Sequence, residues 1–526
     1  MMLMIDLANS LLSTGSEAFG TFGFDIHHRY SDTVKDLLGG DGLPEKGSFD
    51  YYTAMAHRDH IFKARRLATS TPNATTPLLT FFGSNQTFRL SALGFLHYSV
   101  VAVGTPALPF LVALDTGSDL FWLPCDCTSC VRSINSTSRE GLDLSIYSPS
   151  TSSTSDPVPC NSTMCSSNRS GRGCATQRNA CAYQEVYLSS NTSTTGILVD
   201  DVLHLGTDSD PQGIVEAPIT LGCGMIQTGD FLDGAAINGL FGLGMDGISV
   251  PSILANKGLT ANSFSMCFGP DGFGRINFGD KGSSSQKTTS FNLEQIHQTY
   301  NITVTQVAVE NNVTDIEFTA VFDSGTSFTY LNDPAYSAIV DSFTSQITEP
   351  RYHPQTRTIF DYCYEISANQ ESYNTPSLNF TMKGGDQFYV TAPTIVVTRQ
   401  GGYAYCLAIV KSEDINIIGQ NFMTGYRIVF DREEMVLGWK ASDCYEPVSS
   451  NTLPVNRGNS TGAPPPSVMD PEATPNRTRS SFPNMPPPLP PQLPSTPLSG
   501  NDAAGLNYMI NHGFLMIILT IIILSS

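Results

Sequence analysis

Two short segments of this 526-residue chain carry residue types suited to acid–base chemistry. The first is Leu114-Asp115-Thr116-Gly117-Ser118, the second Phe322-Asp323-Ser324-Gly325-Thr326. Each follows an apolar β-type run and sets Asp at a strand end, then a hydroxyl residue, Gly and another hydroxyl residue. Gly lets the backbone turn tightly, so two such loops can approach each other. The hydroxyls can hydrogen-bond a carboxylate and hold its orientation. Two carboxylates brought together in this way cannot both ionise easily and share a proton. Read singly, Asp-x-Gly is also an ordinary turn, so the repetition carries the argument.

The elements that must position these loops repeat as well. Asn238-Gly239-Leu240-Phe241-Gly242-Leu243-Gly244 follows the first Asp loop, and Asn416-Ile417-Ile418-Gly419-Gln420 follows the second. The order Asp loop, then apolar-Gly turn, twice over, implies an internal duplication of two lobes with one Asp each. Between them lie many short β-type runs with turn signals. Examples are Phe110–Leu114, Thr319–Phe322, Thr394–Val397, and Arg427–Phe430 followed by a turn and Met435–Trp439, which predicts a hairpin. Helical stretches are few, the best being Val250 to Lys257 and Asp333 to Thr348. The fold class expected is all-β.

The twelve Cys all lie between Cys125 and Cys444, seven of them between 125 and 181. Seven is odd, so full pairing sends one bridge outside, with Cys223 the nearest candidate, and leaves Cys267, Cys363, Cys406 and Cys444 as a second set. This eight-and-four division matches the two lobes. Cys127 and Cys130 have no second pair and no His at zinc-ligand spacing, so no metal is expected. Disulfides and eleven Asn-x-Ser/Thr sequons, among them Asn73, Asn85, Asn135, Asn191, Asn301 and Asn459, point to a secreted glycoprotein. The balance of 28 basic against 48 acidic residues, net −20, excludes nucleic acid as the main partner.

These motifs resemble those of pepsin-like aspartic proteases, specifically the secreted, glycosylphosphatidylinositol (GPI)-anchored plant type, over about residues 95–445. Asp-Thr-Gly-Ser alone is weak. Paired with Asp-Ser-Gly-Thr, the two apolar-Gly turns and Trp122 seven residues after the first Asp, it is strong. The Cys-dense insert at 125–181 resembles that of the nepenthesin-like group. The resemblance implies a bilobal fold of two duplicated β-rich lobes, with Asp115 and Asp323 as the catalytic pair. Ser118 and Thr326 match the hydroxyls on the outer carboxylate oxygens, and Gly117 and Gly325 the backbone donors on the inner side. Tyr187 matches the flap tyrosine, which in the family packs against Trp122. It also implies hydrolysis of peptide bonds at acid pH by an activated water, with no covalent intermediate and no cofactor.

One segment departs from the pattern. The family flap reads Tyr-Gly-x-Gly-Ser, whereas here Tyr187-Leu-Ser-Ser-Asn-Thr-Ser-Thr-Thr-Gly196 lacks both flap glycines and runs one or two residues longer. That leaves the register of the hairpin open. It also keeps a second function in view, a non-catalytic cell-surface binder on the same fold. A two-carboxylate glycosidase fits less well, because the chain has only Trp122 and Trp439 to line a sugar cleft.

The expected organisation is an atypical or truncated signal segment at 1–23, a prosegment at 24–90, an N-terminal lobe at 91–262, a C-terminal lobe at 263–445, a Pro-rich stalk at 446–505 and a GPI-anchor signal at 506–526. Residues 24–90 hold eight Lys/Arg and seven Asp/Glu, with Arg65-Arg66 near their end, whereas residues 91–445 carry a net −18. A near-neutral leader before an acidic body is what an electrostatically held prosegment looks like. The tail Phe514–Leu524 is too short to span a bilayer of about 30 Å. Small residues, a spacer and an apolar tail match an anchor signal, with Asn501 the candidate attachment site. The partners expected are polypeptide substrates, the chain's own prosegment and a membrane reached through the lipid, with the protein a monomer on the extracellular face of the plasma membrane.

Overall fold

The computed structural model describes most of residues 22–55, the short strands Leu79–Thr80 and Thr87–Phe88, and residues 97–445. Within the last span, the stretches 135–141, 166–171, 176–178, 188–191, 208–209, 234–235, 354–358, 368–372 and 400–401 and a few single residues are not described. Residues 1–21 of the expected signal segment, Arg65-Arg66, the stalk, Asn501 and the anchor region lie outside the described residues, while Phe22 and Gly23, at the end of that segment, belong to the strand Phe22–His28.

The architecture is the all-β, bilobal arrangement expected. A 15-stranded sheet gathers the N-terminal half, and a 7-stranded sheet carries most of the C-terminal half beside a smaller 4-stranded one. The Asp-bearing strands read as unbroken apolar runs because both of their faces are covered. Leu108–Asp115 is exposed only at its first two residues and buried from Phe110 onward. It is sandwiched between His97–Val103, antiparallel, and Leu240–Gly242, parallel. At about 2 kcal/mol per fully buried large apolar side chain, Phe110, Val112 and Leu114 alone fix this strand in the interior. Asn312–Phe322 likewise becomes wholly buried over Ala320–Phe322 as it reaches Asp323.

The duplication is explicit in the pairing. Leu240–Gly242 runs parallel to the first Asp strand, Gly242 opposite Asp115, and meets Trp122 antiparallel. Ile417–Ile418 runs parallel to the second, opposite Val321 and Phe322, and meets Tyr330 antiparallel. Each apolar-Gly turn is thus a short strand threaded between the Asp strand and the strand that follows it.

Helices are short: Val250–Asn256 and Ala335–Thr344 stand within the two stretches expected from the sequence, a little trimmed. The predicted hairpin is Tyr426–Asp431 with Val436–Ala441, closing at Asp431 opposite Val436. Six disulfides form, Cys125–Cys223, Cys127–Cys130, Cys160–Cys174, Cys165–Cys181, Cys267–Cys444 and Cys363–Cys406. None crosses the eight-and-four division, and Cys223 takes Cys125.

The leader is built into this frame. Phe22–His28 lies between Phe273–Phe278 and His97–Val103 in the large sheet. Residues 49–53 are helical and press Tyr51 onto the C-terminal half with Met55, against Phe328, Tyr330, Phe360 and Val397. Charge alone does not foretell this: the described leader docks through backbone pairing and aromatic packing.

Candidate active site

The two Asp loops interlock through their second residues. Thr116 donates its backbone N–H to Ser324 Oγ at 3.0 Å, and Ser324 donates its N–H to Thr116 Oγ1 at 2.9 Å. The Thr116 hydroxyl donates in turn to the Phe322 carbonyl at 3.3 Å, and the Ser324 hydroxyl to the Leu114 carbonyl at 3.5 Å. All of these groups are buried, so each bond is made away from competing water. Neither Thr116 nor Ser324 was singled out from the sequence. The signal was there, a second hydroxyl in each motif, but only the three-dimensional crossing gives it a partner.

Backbone N–H groups of the two glycines hold the inner carboxylate oxygens. Gly117 N–H donates to Asp115 Oδ1 at 2.8 Å and Gly325 N–H to Asp323 Oδ1 at 3.0 Å. Gly325 also reports how close the two acids come. A Cβ there would overlap Asp115 Oδ1 and lie 3.2 Å from Asp323 Oδ1. Both carboxylates therefore face the same point, and only a residue without a side chain leaves it open.

The outer oxygens are treated differently. Thr326 Oγ1 donates to Asp323 Oδ2 at 2.6 Å. The Ser118 hydroxyl, 1% exposed, has no hydrogen-bond partner among the described residues. The expectation that both hydroxyls serve their Asp is corrected for Ser118. It sits in the loop, and its carbonyl accepts the Gly244 N–H at 2.7 Å, but its side chain is not on the carboxylate.

Each apolar-Gly turn braces its loop from beneath. Leu243 N–H donates to the Asp115 carbonyl at 3.0 Å. On the other side Asp323 N–H donates to the Ile418 carbonyl at 3.1 Å and Gln420 N–H to the Thr326 carbonyl at 2.8 Å. The Gln420 side chain adds a bond of its own, donating Nε2–H to the Ser324 carbonyl at 2.5 Å. Tyr300 crosses to the first turn and donates its phenol to the Leu243 carbonyl at 2.6 Å. Burial raises that phenol's pKa above its ordinary value, so it remains a donor.

Trp122 is fully buried, its ring 4.9 Å from Phe231 in the core cluster that also contains Tyr183 and Leu240. The backbone of Tyr187 ends the strand Ala180–Tyr187, opposite Thr192. Its side chain and the flap tip 188–191 lie outside the described residues. The register left open by the missing glycines is nonetheless regular. Pairing runs without slip from Ala182 opposite Ile197 to Tyr187 opposite Thr192, so the altered tip leaves the hairpin's base intact.

Two related lobes that bring one Asp each to a single point define the pepsin-like fold. Residues 97–280 match the family model described as xylanase inhibitor N-terminal, and residues 299–441 the one described as xylanase inhibitor C-terminal. Among relatives, aspartyl protease family protein 1 of Arabidopsis thaliana is 56% identical over 474 residues, covering 90% of this chain and 91% of that protein. Aspartic proteinase-like protein 1 of the same plant is 36% identical over 501 residues, covering 89% and 92%. Aspartic proteinase nepenthesin-1 of Nepenthes gracilis is 28% identical over 365 residues, covering 65% and 77%. Among solved structures, soybean basic 7S globulin superposes with a TM-score of 0.52 at 19% identity, covering 68% of this chain and 96% of its own. Lupine conglutin gamma does so at 0.52 and 18%, covering 67% and 93%; both likenesses show the fold. The chain belongs to the plant aspartic protease family.

Proposed function

We propose that this protein is an aspartic endopeptidase that hydrolyses peptide bonds at acid pH through a water held between Asp115 and Asp323. The observation that carries the reading is the convergence of both inner carboxylate oxygens on Gly325, with the loops locked by the Thr116–Ser324 exchange. One carboxylate takes the proton of the water as it attacks the scissile carbonyl, and the other donates to the carbonyl oxygen. The pair acts as a unit, with one proton between two acids. On this reading turnover is greatest at acid pH and falls toward neutrality.

The same reading has the enzyme secreted and held on the outer face of the plasma membrane by a lipid, monomeric, with its leader as an inhibitory partner. The support is the small-residue, spacer and apolar-tail pattern around Asn501. Release by phosphatidylinositol-specific phospholipase C tests the anchor. Retention after the phospholipase would sink it.

The second reading, a non-catalytic binder, draws on one feature, a flap tip without glycines. Digestion of a denatured protein across pH separates the two. The wild-type protein is expected to cleave with statine-type inhibitors competing, while Asp115→Asn and Asp323→Asn each lose about a thousandfold or more in turnover. Equal activity in wild type and both variants would overturn the catalytic assignment. No cleavage by any form would favour the binder.

A further inference from the structure

Beneath the Asp115 loop, the turn Leu243–Asp246 is gripped from two sides. On one side it meets the loop itself. Leu243 and Gly244 donate their N–H groups to the carbonyls of Asp115 and Ser118, and Asp246 donates its N–H to Asp119 Oδ1 at 2.9 Å. A Cβ at Gly244 would overlap that same Asp119 oxygen, so turn and loop touch directly. On the other side it is held by residues of the C-terminal half. Tyr300 donates its phenol to the Leu243 carbonyl. Arg432, 5% exposed, donates Nη2–H to the Met245 carbonyl at 3.2 Å and to Ser252 Oγ at 2.5 Å, and Nη1–H to Ser249 Oγ at 3.5 Å. The hydroxyls of Ser252 and Ser249 donate onward to the Asp246 carbonyl at 2.6 and 2.8 Å.

Arg432 is an unexpected group to bury here. Its acceptors are neutral oxygens, no carboxylate pairs with it among the described residues, and its Nε has no hydrogen-bond partner there. A guanidinium taken out of water without a counter-ion costs stability, so stability does not account for it. What it supplies is geometry, a rigid planar fork that fixes several acceptors at once. The second loop shows why the first needs such a brace. Gly419 stands where Gly242 does, and the next residue is Gln420 in one turn and Leu243 in the other. Gln420 bonds the Ser324 carbonyl with its side chain, and its oxygen meets His97 Nδ1 at 3.2 Å. Leu243 has no side-chain group that can make such a bond.

We propose that Tyr300 and Arg432 are positioning residues for Asp115, holding from the C-terminal half a turn whose own side chain cannot hold the loop. Neither touches the carboxylate. Each acts through the turn, Tyr300 on the peptide whose N–H bonds the Asp115 carbonyl, Arg432 on the peptide that follows Gly244. The two belong to one joint. Burial chiefly raises the Tyr300 phenol's pKa, while the Arg432 charge lowers it and the Asp119 charge raises it. The phenol therefore stays a donor, and the brace it makes persists through the acid and neutral range. The place of the N-terminal acid is thus set by the C-terminal half, in addition to the direct exchange between Thr116 and Ser324.

The inference rests on the protease reading, so its test has one arm that needs turnover and one that does not. Tyr300→Phe removes a single oxygen, and Arg432→Lys keeps the charge but loses the fork. Each is expected to lower kcat about tenfold with KM within about twofold. The two apparent pKa values of the kcat/KM profile should also draw together. Repulsion between the carboxylates keeps those values apart, and a loosened Asp115 stands farther from its partner. A general loss of stability would not narrow the profile. The second arm is backbone hydrogen–deuterium exchange of the full chain at pH 7. In Tyr300→Phe, exchange at Gly117, Leu243 and Gly244 is expected to rise about tenfold, while that at Gly325 and Thr326 holds. An equal rise in both loops, no rise in the first, or wild-type kcat in either variant would overturn the proposal. A wild-type protein that cleaves nothing would sink the protease reading, and the exchange pattern would still decide whether Tyr300 holds the turn. Should Arg432→Lys not fold, both arms of Tyr300→Phe decide.

Discussion

The Asp115 and Asp323 loops share a motif, a topology and a cross-bond, yet they are not braced alike. Asp323 has a hydroxyl on its outer oxygen and a glutamine side chain on the next carbonyl. Asp115 has its inner-oxygen donor, and the neighbouring Ser118 hydroxyl has no hydrogen-bond partner among the described residues. The turns beneath use neighbouring backbone groups in both lobes. The first reaches the loop through Leu243 and Gly244, just after Gly242, the second through Ile418 and Gln420, on either side of Gly419. A duplicated motif thus fixes where the two acids stand, while the hydroxyl side chains beside them are used differently in the two loops.

Substitutions can break or sharpen that contrast. The largest effects should come where the loops are alike. A Cβ at Gly242 would overlap the Asp119 carbonyl, and one at Gly419 the Phe328 carbonyl. Backbone cannot give way as a side chain can, so Gly242→Ala and Gly419→Ala should each lose about 3 kcal/mol or more in chemical denaturation. A tolerated alanine at either site would show that the two turns are not equivalent supports.

Thr326→Val should lose about 2 kcal/mol of carboxylate stabilisation, read as roughly a thirtyfold fall in kcat with little change in KM. Thr116→Val and Ser324→Ala should each destabilise, and the double variant should lose less than their sum, with a coupling of about 1 kcal/mol. Full additivity would mean that the reciprocal bonds do not act as a unit. The smallest effect belongs to Ser118→Ala, within about 0.5 kcal/mol, because a buried hydroxyl without a partner forfeits little when removed. A loss at Ser118 as large as at Thr326 would abolish the contrast.

Much of this was legible in the sequence because it is local. The apolar runs before Asp115 and Asp323, the two apolar-Gly turns, the hairpin ending at Trp439 and the division of the cysteines all follow from neighbours in the chain. What escaped depends on residues brought together over long separations. Thr116 and Ser324 are 208 positions apart, and each looks like an ordinary turn hydroxyl until the loops cross. His97 and Gln420 are 323 apart, and nothing in either segment names the other. Ser118 failed for the opposite reason. The motif promised symmetry, and the Ser118 hydroxyl does not make the bond that Thr326 makes.

The hairpin Tyr426–Asp431 and Val436–Ala441 belongs by sequence to the second half, yet its first strand pairs with Ser263–Phe268 in the large sheet. A ribosome making this chain from the N-terminus therefore leaves that sheet with a raw edge until some 160 further residues have emerged. Unpaired strand edges of this kind invite pairing with other chains, and late long-range pairing slows folding. Chains ended before residue 426 should therefore be soluble only with a chaperone's help, however complete their first half.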